Sequence, residues 1–208
     1  MDRENKKAED FSLEALRGGD RLEFARLVDT YSGVIYRLGL KMLDDPQDAE
    51  DVLQETFIKA FRHLKNFDGR SSLSTWLYRI ATNEALMMIR KRKNLAVSID
   101  EPMDGEAEIE EPVQIMDWCC MPEDEMMSTE AREYMDQAVE LLSPTLRAVF
   151  VLRDIEGLST EETSQVLNLS EAAVKTRLSR ARMRLRELLT AYFGTKMMPQ
   201  RLSEEGED

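Results

Sequence analysis

Residues 158–188, LSTEETSQVLNLSEAAVKTRLSRARMRLREL, constrain the fold more than any other part of the chain. Ser159 followed by Glu162 has the spacing of a capping box, which predicts the start of a short helix. Asn168 tolerates the left-handed conformation that ends a helix, and Ser170 is suited to cap a second, longer helix. A short helix, a tight turn and a long helix together predict a helix-turn-helix motif.

The long helix of this motif is predicted to have an apolar side and a basic side. We expect the small residues Ala172 and Ala173 to let the two helices approach each other. The core between the helices is expected to consist of Val166, Leu169, Val174 and Leu178. The basic residues are Lys175, Arg177, Arg180, Arg182, Arg184 and Arg186. Because these side chains reach phosphates and Arg also bridges O6 and N7 of guanine, they favour DNA binding over a merely solvated basic helix.

Charge is distributed unevenly along the 208 residues, whose net charge is −13. Residues 61–94 carry eight Lys and Arg against two Asp and Glu, and residues 170–187 carry six against two. Between them, residues 95–131 carry twelve acidic residues and no Lys or Arg. Because polyanion binding depends on the local patch, the two basic islands are compatible with nucleic acid despite the acidic total.

Helix signals in the rest of the chain predict an all-α protein. Acidic caps at Asp20 and Asp45 predict two helix starts, the second with Pro46 in its first turn. A break around Gly69 precedes a third helix over about residues 74–92. No strand-like alternation of useful length occurs along the sequence.

The second half of the chain contains the same kinds of helix start and stop signals. A helix is expected over about residues 130–142, and Ser143 with Pro144 restarts the chain as cap and first helical residue. Gly157 is suited to end that next helix in a left-handed conformation. We therefore expect two small helical domains that are joined by a flexible acidic linker. The predicted segments are an N-terminal extension (1–19), a first domain (20–94), the linker (95–129), a second domain (130–192) and a tail (193–208).

The sequence argues against a secreted, membrane-spanning or metal-binding chain. The start MDRENKKAED has no apolar stretch and apolar runs are short, so we expect a cytoplasmic protein without membrane insertion. Cys119 and Cys120 are neighbours, and a disulfide between them would be strained. They are expected to be small apolar side chains rather than a redox or metal switch. His63 is the only His and no CxxC spacing occurs, so we expect no metal site and no cofactor.

Aromatic and basic side chains are interleaved along residues 61–94. The aromatic ones include Phe61, Phe67, Trp76 and Tyr78, and the basic ones include Arg62, Lys65, Arg70, Arg79, Arg90, Lys91, Arg92 and Lys93. Aromatic rings stack on unpaired bases while cations follow the backbone, so this segment suits single-stranded or melting DNA. Membership of the core is the commoner fate of each aromatic residue taken singly, and that alternative stays open.

Three stretches in this order resemble the regions of an extracytoplasmic-function (ECF) sigma factor of bacterial RNA polymerase. They are DPQDAEDVLQETFIKAFRHLKNF, FDGRSSLSTWLYRIATNEALMMIRKRKN and LSPTLRAVFVLRDIEGLSTEETSQVLNLSEAAVKTRLSRARMRLREL. Such factors are the sigma-70 superfamily reduced to two domains, region 2 and region 4. The resemblance covers about residues 20–192 and implies region 2 in the first domain and region 4 in the second. It also implies a promoter-recognition subunit that has no catalytic activity of its own.

The resemblance carries over roles for individual residues. The surface that grips the clamp of the polymerase largest subunit corresponds to Asp48, Gln54, Glu55 and Phe57. The part that melts and reads the −10 element corresponds to Asp68, Ser72, Ser74, Trp76, Tyr78, Arg79, Asn83, Arg90 and Arg92. The recognition-helix positions that read the −35 element correspond to Lys175, Thr176, Ser179 and Arg180. Arg147 and Arg153 are expected to assist at the DNA backbone.

The resemblance also implies the partners of the chain. These are the polymerase core enzyme (through the clamp and the flap of the second-largest subunit), promoter DNA, and an anti-sigma factor that covers both domains. The linker is longer and more acidic than a minimal one in this family. It is expected either to imitate nucleic acid in the polymerase channel or to be a soluble tether, and both readings stay open. Its acidic residues could also fold back on the basic domains and weaken DNA binding by the free protein.

Two other classes of function fit the sequence less well than a sigma factor does. A stand-alone helix-turn-helix regulator, such as a response-regulator output domain, would need an α/β receiver upstream, and no strand pattern occurs there. An enzyme would need a Gly-rich phosphate loop, paired catalytic carboxylates or a Ser/His/Asp set, and none is evident. The promoter sequence, the regulon, the inducing signal and the oligomeric state do not follow from the sequence.

Overall fold

The computed structural model describes residues 11–96 and 129–197, and all regular structure in these two ranges is helical. The predicted all-α class is therefore confirmed. The helices are α1 Leu13–Gly18, α2 Arg21–Leu43, α3 Pro46–His63, α4 Leu73–Ala96, α5 Thr129–Glu140, α6 Pro144–Phe150, α7 Thr160–Leu167 and α8 Glu171–Met197. Most of the predicted linker, with Cys119 and Cys120, lies outside the described residues. No helix in the described ranges is long and apolar enough to cross a membrane.

The predicted helix caps are present in the structure. The Asp20 carboxylate accepts a hydrogen bond from the backbone N–H of Glu23 at 3.1 Å, and Asp45 accepts one from that of Asp48 at 3.0 Å. Pro46 occupies the first turn of α3, where its missing N–H costs no hydrogen bond. These caps satisfy backbone donors that the helix itself leaves free, which explains why α2 and α3 begin where they do.

Helices α2, α3 and α4 pack against one another and form the centre of a first helical unit. Their fully buried side chains include Leu27, Leu38, Met42, Val52 and Leu77. Helices α2 and α3 cross closely at Gly39, where an added Cβ would lie 3.1 Å from the Cα of Ala49. The absence of a side chain at Gly39 therefore sets the distance between these two helices.

Ordered structure begins before Asp20, where the sequence placed only an extension. Helix α1 is capped by Ser12 and ends at Gly19, which is left-handed with φ 81°. Its Leu16 is 2 % exposed and belongs to the same apolar cluster as α2. The helix has only six residues and one buried side chain, so the sequence gives it a weak periodic signal. At the other end, α8 continues to Met197, five residues past the predicted end of the second domain.

Helices α5 to α8 form a second unit that contains the predicted helix-turn-helix. Ser159 and Glu162 make both hydrogen bonds of the capping box, and Asn168 is left-handed with φ 53°. Between α7 and α8, Val166, Val174 and Leu178 are buried. Ser143 stands before α6 as predicted, although its side chain caps no backbone N–H. After α6 the chain makes a π-helical turn, Val151–Ile155, and then reaches the left-handed Gly157.

The two units pack directly on each other and share one apolar core. Helix α4 of the first unit contacts α7 of the second, and α2 contacts α5 and α6. Polar bonds reinforce this interface. Arg147 donates to the carbonyl oxygen of Met42 at 2.7 Å, and Lys41 forms an ion pair with Asp136. Buried side chains of both units therefore belong to a single cluster, which includes Leu77 and Ala81 on α4 and Val166 on α7.

Candidate nucleic-acid interface

Helix α8 presents the four residues predicted to read DNA on its exposed side. Lys175, Thr176, Ser179 and Arg180 are all exposed, whereas Val174, Leu178, Ala181 and Leu185 are buried. At 3.6 residues per turn these two groups lie on opposite sides of the helix. Among the described residues, no ion pair engages Lys175 or Arg180. The predicted reading residues therefore share one accessible surface at the N-terminal half of α8.

Other arginines of α8 are held by carboxylates within the protein. The Arg182 guanidinium donates from Nε and Nη2 to the Asp154 carboxylate at 2.8 and 2.7 Å. The hydrogen bonds to Asp154 raise the pKa of Arg182. Arg184 pairs with Glu187 at 2.9 Å. Lys175 and Arg180 near the start of this helix are therefore free of ion pairs, whereas Arg182 and Arg184 further along are engaged.

The loop before α4 and the first turn of α4 hold three of the residues that the sequence assigned to the −10 element. Asp68 accepts from the backbone N–H of Arg70 at 3.1 Å and pairs with its guanidinium at 2.8 Å. Ser72 accepts from the backbone N–H of Thr75 at 3.0 Å, and its hydroxyl lies 2.8 Å from that of Ser74. Ser72 is thus the cap of α4, and residues 68–70 form an exposed turn just before it in the chain.

Helix α4 places the other predicted −10 residues in different surroundings. Arg79, Asn83 and Arg90 are exposed. Trp76 is half-buried and its ring lies 5.0 Å from that of Phe67, so both aromatic residues stabilise the base of the loop. Arg92 forms an ion pair with Asp48 on α3 and so is engaged inside the protein.

Tyr78 is not at the surface in this structure, although the sequence assigned it to DNA. It is 8 % exposed, and its hydroxyl donates to Oε2 of Glu156 in the second unit at 3.0 Å. Burial raises the pKa of Tyr78, and the Glu156 charge adds to that rise. Burial also raises the pKa of Glu156, while the Tyr78 hydroxyl and the Arg37 charge oppose the rise. In this arrangement the Tyr78 hydroxyl is therefore bound to the second unit.

A groove between α3 and α4 contains the middle of the predicted polymerase-binding surface. Gln54 and Glu55 are exposed and line this groove together with Asp51, Glu84 and Met88. Glu84 is nearly buried and pairs with Lys59 at 2.5 Å. Asp48 lies at the start of the same helix, half-buried beside Arg92.

Phe57 belongs to the core, which corrects its assignment to that surface. It is 8 % exposed, and its ring meets that of Phe24 edge-on with centroids 6.4 Å apart. The sequence placed Phe57 beside the exposed Glu55, but in a helix residues two apart point in different directions. Phe57 therefore supports the helix that presents Gln54 and Glu55.

Arg147 and Arg153, which the sequence placed at the DNA backbone, are used inside the protein. Arg147 is half-buried and donates to backbone carbonyls of Met42 and Glu140, and its burial lowers its pKa. Arg153 donates to the carbonyl oxygen of Leu158. Arg147 thus satisfies carbonyl groups in the last turns of α2 and α5, and Arg153 satisfies one in the loop before α7.

Two functional candidates were missed by the sequence reasoning. Glu156 meets Tyr78 across 78 positions of the chain, and Arg17 reaches the Phe67 carbonyl across 50. Neither residue lies in a motif or on a periodic stripe, so no local signal could have identified it. Within the described ranges, no group of three or more metal-ligating side chains occurs.

Comparison with known proteins gives matches along both units. The family model for sigma-70 region 2 matches residues 27–95, and that for sigma-70 region 4 matches residues 132–185. The chain is 37 % identical over 177 residues to the ECF RNA polymerase sigma factor SigW of Bacillus subtilis, covering 85 % of this chain and 94 % of that protein. It is 36 % identical over 170 residues to the RNA polymerase sigma-H factor of Pseudomonas aeruginosa, covering 82 % and 88 %.

Solved structures show the same fold. CnrH, in its complex with the cytosolic domain of CnrY, matches with a TM-score of 0.62 and 26 % identity, covering 86 % of this chain and 95 % of that one. The sigma factor RpoE of Bartonella quintana, in complex with the anti-sigma factor NepR, matches with a TM-score of 0.59. That pair is 24 % identical and covers 81 % of this chain and 97 % of the other.

The contact between the two units is expected to weaken as pH rises. Because burial raises the pKa of Glu156, the packed arrangement favours its protonated form. This stabilisation of the packed arrangement is fully present below the ordinary carboxyl pKa of about 4.3. It is lost as the pH rises through the raised pKa of Glu156. Fluorophores at Arg62→Cys and Glu171→Cys, with both native cysteines replaced by Ser, should report a larger distance at about pH 8 than at about pH 5.

Glu156→Gln is the matched control for this titration. An amide keeps the size and the hydrogen-bonding oxygen of the side chain but has no proton to lose in this range. The distance between the two labels should therefore be independent of pH in this variant. An unchanged pH dependence would assign the opening to other groups and refute the role of Glu156.

Proposed function

The chain belongs to the ECF sigma factors of the sigma-70 family, and from this premise we propose how its surfaces divide the work of initiation. The exposed side of α8 reads the −35 element, the loop with the exposed side of α4 reads the −10 element, and α3 binds polymerase. The observation that carries the proposal is the accessible row Lys175, Thr176, Ser179 and Arg180 opposite the buried side of α8. The protein acts in the cytoplasm as an initiation factor and catalyses no reaction itself.

The geometry of α8 supports reading of duplex DNA at −35. In helix-turn-helix proteins the second helix enters the major groove, and the residues near its N-terminus contact base edges. Lys175 and Arg180 are free to reach phosphates or guanine because no described carboxylate holds them. The engaged Arg182 instead connects α8 to the π-helical turn Val151–Ile155 through Asp154.

The loop at 68–72 supports capture of an unpaired base at −10. Its exposed turn is stabilised by the Asp68–Arg70 pair, and Arg79, Asn83 and Arg90 provide cationic and amide groups along α4. Taking a base out of the stack costs a few kcal/mol, so contacts in this loop must offset that cost. Trp76 contributes by supporting the loop from below, and Tyr78 reaches DNA only after the second unit has moved away.

The α3 groove supports binding to the clamp of the polymerase largest subunit. Gln54 and Glu55 offer an acceptor-rich exposed surface that suits a basic or amide-bearing partner helix. The second unit is proposed to contact the flap of the second-largest subunit. An anti-sigma factor is a further proposed partner, because the structurally similar RpoE was solved in complex with one.

In vitro transcription with core polymerase on a library of promoters tests the whole proposal. The full chain should direct initiation from a subset of promoters that share −35 and −10 sequences. Binding to DNA without any polymerase-dependent initiation would instead favour a stand-alone helix-turn-helix regulator and contradict the proposal. Co-purification with core polymerase gives an independent measure of the same property.

Arg180→Ala and Lys175→Ala should each weaken binding of the holoenzyme to the −35 element. Loss of a bidentate base contact costs about 1–3 kcal/mol and relaxes preference at one base pair. Loss of a phosphate contact lowers affinity equally on all sequences and reduces the salt dependence. Affinities on the natural site and on single-base variants, across a salt series, separate these outcomes.

Arg184→Ala provides the control on the same helix, since its guanidinium is exposed but pairs with Glu187. We expect at most a small, sequence-independent effect from this variant. If Arg184→Ala matched the loss of the other two variants, the reading surface would have been placed on the wrong part of α8.

Glu55→Lys should weaken holoenzyme formation without changing the free energy of unfolding. Glu55 is exposed at the groove, whereas Phe57 is buried, so Phe57→Ala should instead lower the free energy of unfolding by about 3–5 kcal/mol. Binding to core polymerase and urea unfolding are measured for both. Asp29→Lys makes the same charge change on the exposed surface of α2 and should leave polymerase binding intact. Equal losses for Asp29→Lys and Glu55→Lys would mean that only net charge matters.

A further inference from the structure

Arg17 of helix α1 holds the start of the loop that precedes α4. Its Nε and Nη2 atoms both donate to the backbone carbonyl oxygen of Phe67, at 3.0 and 2.5 Å. The same guanidinium also lies next to Gly69, because a Cβ built on that glycine would be 4.0 Å from Nη2. Arg17 is therefore bound to the residue before the loop turn and lies beside the turn itself.

Helix α1 is itself firmly placed, so Arg17 acts from a fixed position. The Ser12 side chain caps α1, and the Ser12 backbone N–H donates to Glu23 of α2 at 2.8 Å. Leu16 is buried in the core, and Gly19 ends the helix with hydrogen bonds back to its last turn. Because α1 is fixed at both ends and packs through Leu16, the backbone that carries the Arg17 guanidinium has a defined position.

The loop is held at its two ends and exposed between them. At its end, Ser72 caps α4. At its start, the Phe67 ring is buried against Trp76, while the Phe67 carbonyl points toward Arg17. Gly69 lies between these points with φ 77°, a conformation that side chains other than glycine rarely adopt. On the Phe67 side of this turn, the backbone is held by the bonds from Arg17 to the Phe67 carbonyl and by the bond from the Phe67 N–H to the Leu64 carbonyl oxygen at 3.1 Å.

We propose that Arg17 is a positioning residue for −10 recognition, which acts by fixing the backbone of the loop at residues 67–69. This inference rests on the proposed function of the loop. A loop that captures one base must hold its contact groups in place before the base arrives, because ordering the loop during binding would reduce affinity. Arg17 fixes the loop at residues 67–69 from α1, a helix in which no residue was assigned to the −10 element.

A direct phosphate contact by the exposed Arg17 is the rival explanation, and Arg17→Lys distinguishes the two. Lys keeps the charge, but it lacks the planar fork that donates twice to one carbonyl oxygen. If Arg17 positions the loop, Lys should not restore what Ala removes. If Arg17 contacts phosphate, Lys should restore binding, and Ala should lower the salt dependence of binding.

Hydrogen exchange on the free full-length protein tests the positioning directly. In Arg17→Ala and Arg17→Lys, the backbone amides of Phe67 and Arg70, which donate to the Leu64 carbonyl and to the Asp68 carboxylate at 3.1 Å, should exchange at least about tenfold faster, the effect of losing one charged hydrogen bond. The core of α2 should stay protected. Arg21→Ala removes an exposed arginine only four positions away and should leave the loop unchanged. Unchanged loop exchange in both Arg17 variants would overturn the proposal without involving polymerase.

Holoenzyme measurements then connect the loop to recognition. On a promoter that the wild-type holoenzyme opens, both Arg17 variants should lose about tenfold in opening and in discrimination against single-base changes at −10. Affinity for duplex carrying only the −35 element should be unchanged. Equal losses on −35 and −10 probes, or full rescue by Lys, would refute the positioning role. Failure of the wild-type holoenzyme to open any promoter would refute the proposed function instead, and the exchange result would be unaffected.

Discussion

Burial of helix α4 on two sides is the constraint on which the rest of this structure depends. Leu77, Ala81 and Ala85 are fully buried, and α4 packs against α2 and α3 on one side and α7 on another. A single apolar core therefore extends through both units. Because hydrophobic stabilisation grows with the apolar area removed from water, separating the units would cost the part of that area that α4 shares with α7.

Some arginines are bound to oxygen atoms within the protein, whereas others are free at the surface. This division explains how an acidic chain can bind DNA. Arg147, Arg153 and Arg182 satisfy carbonyl or carboxylate oxygens within the protein, so their charge is not available to phosphates. Lys175 and Arg180 remain exposed on the surface proposed for −35. A count of basic residues along the sequence overestimates the DNA-binding surface, because it treats both groups alike.

The helix boundaries could be predicted because helix caps depend on residues within one turn. Part of the site could not be predicted because it depends on contacts between residues that are far apart in the sequence. The caps at Asp20, Asp45 and Ser159 depend on residues within one turn, and each was predicted and found. The exposed side of α8 follows from the helical period alone. The burial of Tyr78 and Arg147 could not be predicted, because each is hydrogen-bonded to a partner far away in the chain. Helix α1 was missed because its docking depends on Leu16 and on a core built by later helices.

The packed arrangement affects the proposed surfaces unequally. Gln54 and Glu55 on α3, and Lys175 and Arg180 on α8, are exposed while the two units are in contact. Tyr78 is the exception, since it is buried and its hydroxyl is bound to Glu156 of the second unit. The affinity of a ligand that needs an open form falls in proportion to the fraction of molecules that are open. On the proposed assignments, contact between the units therefore weakens the part of −10 reading that involves Tyr78. On the same proposed assignments, the residues for polymerase and for the −35 element are accessible without separation of the units, whereas release of the Tyr78 hydroxyl from Glu156 requires it.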